Sequence, residues 1–213
     1  MYINNNQLGS FERYYRANLI NSLSGFKSVS LIGTINPSNQ TNLAIFSNIV
    51  HLGADPALVG FVNRPLAAAP HTIANIQSTG FFTINHLNTD IIDAAHQTSA
   101  KYPKEVSEFD TCTLTPEYAE SFPAPYVKES NVKYGCKLKE IIPITLNNTF
   151  FVIGEVEEIH FRDDILTADG FLRIDLADSI CSLGIDGYYK TNFIKRLPYA
   201  KANEVKTEKS SNK

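Results

Sequence analysis

The sequence predicts a mainly β protein, a closed or nearly closed antiparallel barrel with a few short helices. Three observations lead there. Six or more segments have the length and apolar pattern of strands. The joints between the first of them, NPSNQTN and HLGADP, are the Asn/Pro/Ser/Gly-rich chemistry of short antiparallel connections. Two short helical patterns follow the third strand, an order suited to an antiparallel barrel.

In chain order, an Asn-rich leader precedes SFERYYRANLINSLSGF. Phe11, Tyr14, Tyr15, Asn18 and Leu19 recur there near helical spacing, with Ser10 as N-cap, Gly25 as the stop, and Arg13 and Arg16 on the solvated side. Three strands are expected at Val29–Thr34, Leu43–Val50 and Ala57–Val62. A helix over His71–Ser78 enters at Pro70 and exits at Gly80. Phe81–Leu87 alternates as a strand. A second helix follows from Asn88 or Thr89, burying Ile91, Ile92, Ala94 and Ala95. Residues 101–126 are Pro- and charge-punctuated and predict a surface wrap with a short helix or two. Val132–Leu138 alternates Val132, Tyr134, Cys136 and Leu138 inward with Lys133 and Lys137 outward, as in a half-solvated strand. A turn at Asn147-Asn148 leads into a long strand, Thr149–Phe161, with a bulge at Gly154. Asp169-Gly170 is a further turn. CSLGIDGYYK reads as irregular, and the polar stretch from 200 to 213 as a disordered tail behind one domain spanning residues 1–199.

Composition narrows the function. A net charge of −3 argues against a nucleic-acid binder, which would show a basic face. MYINNNQ lacks the basic start and apolar run of a signal peptide, and no apolar run approaches the ~20 residues that span a bilayer. Cys112, Cys136 and Cys181 are odd in number and far apart, which points to reduced thiols and a cytoplasmic location. His51, His71, His86, His96 and His160 show no metal-ligand spacing, so no metal site is expected. No GxSxG and no Gly-rich phosphate loop is present.

The informative stretch runs from Ser28 to Phe61. Thr34 closes its first strand, and Asn42, Ser47 and Asn48 punctuate the second. Buried amides and hydroxyls cost a few kcal/mol unless hydrogen-bonded, so these groups either pair with the protein or face a polar ligand. Taken singly, each is explained by a turn, a cap or packing. Taken together, the order Gly33-Thr34, Asn42-Leu43-Ala44, Ser47, then Asp55-Pro56 resembles the flavin-reductase-like family of FMN-binding split barrels. RPLAAAPHTIANIQSTGFFTIN, AHQTSAKYPKEVSEF, APYVKES, GEVEEIHF and the closing GIDGYYK and RLPYAK extend the resemblance over roughly residues 18–199.

The resemblance implies a split antiparallel β-barrel of Greek-key type that forms a homodimer and holds FMN, less often FAD. The flavin ring is expected against Thr34, Asn42 and the Leu43-Ala44 backbone. Its phosphate is expected among Ser47, Asn48, Arg64, and His71-Thr72 at a helix N-terminus. Many members carry Lys or Arg where this chain has Pro70, which shifts the phosphate charge onto Arg64 or Lys101. The implied activity is an NAD(P)H:flavin oxidoreductase, with NADH or NADPH as co-substrate. Hydride transfer between the cofactors needs no side-chain acid or base, so no catalytic residue is assigned. The implied partners are a flavin-dependent monooxygenase or another electron acceptor. The alternatives are an FMN-retaining electron carrier without nicotinamide turnover, or a barrel that has lost its flavin.

Overall fold

In the computed structural model, which describes residues 1–201, the chain is organised by one seven-stranded antiparallel sheet. Two helices come first: α1 (Asn5–Ser10) and α2 (Arg13–Leu23). The Asn-rich leader is thus helical, capped by Asn4 in a reciprocal bond pair with Gln7. Glu12, not Ser10, caps α2, because its carboxylate reaches the free N–H groups of Tyr14 and Tyr15. No α2 residue is buried; Arg13 is exposed, and Arg16 is half-buried and donates to Gly9 O at 3.1 Å.

The strands that follow are β1 (Lys27–Ser28), β2 (Ser30–Ile35), β3 (Thr41–Phe46), β4 (Val50–Ala54) and β5 (Ala57–Asn63). The expected second strand is therefore two. The chain bends after Phe46, and HLGADP, read as a turn, supplies most of β4 and its hairpin to β5. The physical reason is tertiary: β3 and β4 lie at opposite edges of the sheet, whose order is β3-β2-β6-β9-β10-β5-β4. Closing a barrel requires the chain to leave one edge and join the other, and residues 47–49 make that passage.

Next come α3 (His71–Thr79), β6 (Phe81–His86), α4 (Ile92–Gln97), α5 (Glu108–Thr111), β7 (Pro116–Glu117), β8 (Tyr126–Val127), β9 (Val132–Ile144) and β10 (Thr149–Phe161). The helix over 71–79 ends as expected at Gly80, whose φ of 79° suits a residue without Cβ. Asn88 caps the turn into α4 by accepting from Asp90 N–H. The β9–β10 register shifts at Gly154, as the sequence suggests, and again between Val156 and Glu158.

Three further expectations are corrected. Residues 101–126 do not merely wrap the surface: Phe109, Leu114, Phe122, Ala124 and Tyr126 are buried. Lys133 is buried rather than outward, because the β7–β8 ribbon folds over it and supplies Glu117 and the Val127 carbonyl as partners. The closing stretch read as irregular is a hairpin, β11 (Ile180–Leu183) and β12 (Gly187–Lys190), completing a three-stranded sheet with β1. Residues 191–201 carry no helix or strand, and most of the polar tail lies outside the described residues.

The barrel interior is apolar. Ile32, Phe46, Phe61, Phe82, Ile84, Cys136 and Val152 line it, and Ile73 and Ile76 of α3 plug one end. Phe46, Phe61 and Phe82 stack edge to face at 5.0 and 5.6 Å. Each ring buried this fully is worth about 2–3 kcal/mol. The outer face of β2 is buried as well, since Leu31 and Leu43 pack with Leu87, Ile91, Ala95, Phe109 and Ile180. β2 and β3 are thus covered on both faces.

Candidate functional site

The polar residues inside β2 and β3 resolve into two groups. Thr34 is fully buried and satisfied by the protein: Asn75 Nδ2 donates to its hydroxyl at 3.1 Å. Asn42 Nδ2 donates to Thr72 Oγ1, also at 3.1 Å. These bonds tie α3 across the β2–β3 hairpin, so Thr34 serves the fold and not a cavity. Leu43 is likewise core, with its side chain fully buried.

The other eight residues singled out from the sequence line one cleft of about 340 Å³: Asn42, Ala44, Ser47, Asn48, Arg64, His71, Thr72 and Lys101. Within that group, Asn48 is already engaged. Its side-chain amide donates to Val62 O at 2.9 Å and accepts from Val62 N–H at 3.1 Å. The β4–β5 register, in which Val50 faces Gly60, extrapolates to residue 48 opposite residue 62. Asn48 therefore continues the ladder with its side chain where its backbone has bent away.

One end of the cleft is the start of α3. Pro70 occupies the cap position and offers no side-chain bond, so the first N–H groups of the helix have no capping partner. No acidic residue lies in that first turn. Arg64 arrives from the end of β5, and Asn63 Nδ2 holds the connecting loop by donating to Arg64 O and Ala69 O. Lys101 comes from the loop after α4. Free helix N–H groups and two cations from separate elements thus line the same cleft.

The opposite wall is the outer edge of β3. Segment 104–108 covers only half of it: Gln40 Nε2 donates to Lys104 O (2.6 Å), Thr41 and Ser107 share a hydroxyl bond (2.6 Å), and Leu43 N–H donates to Glu108 Oε2 (2.9 Å). The alternation of an antiparallel strand turns the N–H and C=O of Ile45 to the same outer side. That half of the edge opens on the cleft.

Sequence reasoning missed Glu108, Tyr102, Ser182, Ile185 and Tyr188, which also line the cleft. Glu108 is 6% exposed, and burial raises its pKa against the opposing effects of the Leu43 N–H bond and nearby His71. Its only local signal was its place in the motif AHQTSAKYPKEVSEF. Tyr188 comes from β12 and bonds His96 Nδ1 at 2.8 Å, and burial raises its pKa too. Among the described residues no three His, Cys, Asp or Glu side chains gather as metal ligands. Among the described residues no helix is long and apolar enough to cross a membrane.

The fold is a split barrel whose polar cleft lies at a half-open strand edge. The comparisons agree: the flavin reductase like domain family matches residues 26–175, and the chain belongs to it. A split-barrel protein of Shewanella frigidimarina assigned to the flavin reductases shares 46% identity and superposes with a TM-score of 0.91, over 94% of this chain and 100% of that one. Nitrilotriacetate monooxygenase component B of Bacillus cereus has the same fold, with a TM-score of 0.80 at 23% identity over 92% and 98% of the two chains. An uncharacterized protein of Aquifex aeolicus is 29% identical over 166 residues, 77% of this chain and 84% of that protein.

Proposed function

We propose that the protein is an FMN-binding NAD(P)H:flavin oxidoreductase. The observation that carries this reading is the pairing, in one cleft, of an uncapped α3 N-terminus flanked by Arg64 and Lys101 with an open β3 edge. The residues fit the group. A flavin mononucleotide is a dianionic phosphate joined through a polar ribityl chain to a flat ring with a hydrogen-bonding edge, and the cleft offers each part a counterpart.

Arg64, Lys101, Thr72 and the α3 amides would hold the phosphate. Thr72 Oγ1 accepts from Asn42, which leaves its proton free to donate outward. Ile45 would meet the ring edge, and Ala44 and Tyr188 would bound the apolar body. When bound, the flavin supplies the chemistry, accepting a hydride from a reduced nicotinamide. The chain orients the ring, fixes the phosphate and excludes water from one face. An electron acceptor beyond the flavin, such as a partner monooxygenase, belongs to this proposal, as do a homodimeric assembly and, as a less favoured cofactor, FAD.

Titration of the purified protein with FMN, followed by anaerobic addition of NADH or NADPH, tests the reading. The expected result is saturable binding and bleaching of the flavin spectrum by reduced nicotinamide. Arg64→Ala should weaken FMN about 10–100-fold, since a charge-assisted bond is worth about 1.5–3 kcal/mol, and riboflavin affinity should hardly change. Wild-type protein that binds no FMN would refute the proposal.

A further inference from the structure

A carboxylate in a cleft built for an anion is out of place unless something there donates to it. Glu108 is 6% exposed and lines the cleft, and no lysine or arginine among the described residues bonds it. One oxygen, Oε2, accepts from Leu43 N–H at 2.9 Å. That bond fixes the side chain at a definite place, the point where the protein's cover of the β3 edge ends and the open half begins. Residues 104–107 occupy the edge before it, and Ile45 follows it.

The edge at that point alternates donors and acceptors. Ile45 offers an N–H donor on that edge; Glu108, anchored at Leu43 two residues before it, has a second oxygen, bonded by no described residue, as an acceptor lining the same cleft. A planar ring edge reading C=O, N–H, C=O matches such a row, with its carbonyl on Ile45 N–H and its imide N–H on the carboxylate. The pyrimidine edge of an isoalloxazine has this sequence of groups. The ribityl hydroxyls and the phosphate do not.

Resting on the flavin reading above, we infer that Glu108 is a positioning residue whose free oxygen accepts the imide N–H of the flavin ring. It ties ring orientation to the β3 backbone through Leu43 and makes the cleft selective for ring systems with an unsubstituted imide.

The test compares FMN with N3-methyl-FMN on wild type and Glu108→Gln, with the purified full chain. Gln keeps an oxygen for Leu43 N–H, so the fold is preserved, and it turns an N–H₂ toward the imide. Wild type should bind FMN at least tenfold more tightly than the methylated analogue, and Glu108→Gln should lose about that factor for FMN while hardly changing for the analogue. The midpoint potential of bound FMN should move positive in Glu108→Gln, because a negative charge beside the ring disfavours the reduced form. A purely structural Glu108 would leave both readouts unmoved. If wild type binds FMN and neither wild type nor Glu108→Gln distinguishes the two flavins, the role of Glu108 is overturned and the flavin reading stands. If wild type binds neither flavin, both fall.

Discussion

Replacing Asn48 by alanine isolates the device that closes the barrel. The side chain makes two bonds to the Val62 backbone, at 2.9 and 3.1 Å, in the register position that its own backbone has vacated. A net hydrogen bond is worth about 0.5–1.5 kcal/mol, so Asn48→Ala should cost about 1–3 kcal/mol. Val62 is only half-buried, so water can partly replace the lost partners, which favours the lower part of that range. For a domain of this size each kcal/mol moves Tm by roughly 2–4 °C, giving a fall of about 2–12 °C, in the lower part of that range, in a thermal scan by circular dichroism. Asn48→Asp sharpens the test. It keeps the acceptor for Val62 N–H but sets a carboxylate oxygen against Val62 O. At neutral pH it should be no more stable than the alanine variant. Acidification below its ordinary pKa of about 3.9 restores a donor and should narrow its gap to wild type, measured at the same pH. An alanine variant within about 0.5 kcal/mol of wild type would refute the reasoning, as would an aspartate variant with wild-type stability at pH 7.

Gly33→Ala should be destabilising by about 2–4 kcal/mol in urea unfolding, since a methyl group there meets the Pro125 carbonyl and Thr83 Oγ1, which share a 2.6 Å bond. Gly9→Ala, where nothing lies within 4 Å, is the control and should be neutral or slightly stabilising in α1. Glu158 sets an acid limb of stability. Burial pushes its pKa up, but bonds from Tyr126 (2.6 Å), His160 (3.0 Å) and Ser121 (3.0 Å) outweigh it and leave the pKa below the usual 4.5. Its contribution is therefore present above pH 4.5 and lost as pH falls through the lowered folded value. Urea midpoints measured from pH 6 to 3 should fall less steeply in Glu158→Gln; an unchanged slope would remove Glu158 from the acid response.

What the sequence by itself determined is what depends on neighbours along the chain. The start of α3 at His71 and its stop at Gly80, the Asn88 cap, the turn at Asn147-Asn148 and the bulge at Gly154 all follow from local dihedral and capping preferences. Each was legible as such. So was the set of polar residues in β2 and β3, though not the use made of each. Thr34 and Asn42 look alike in the sequence, but one is sealed beneath α3 by Asn75 and the other opens on the cleft.

Only the tertiary structure decided which strand edges meet and what covers them. Val50–Ala54 was hidden because HLGADP carries turn residues, and its role as a strand depends on β5 alongside it. Lys133 fits an outward position by alternation, and only the β7–β8 ribbon folding over it turns that position inward. Glu108 reaches Leu43 across 65 residues, and Tyr188 reaches His96 across 92. Contacts at such separation leave no periodic trace in the chain, because the groups that satisfy a buried charge or an open strand edge are chosen by where the barrel closes.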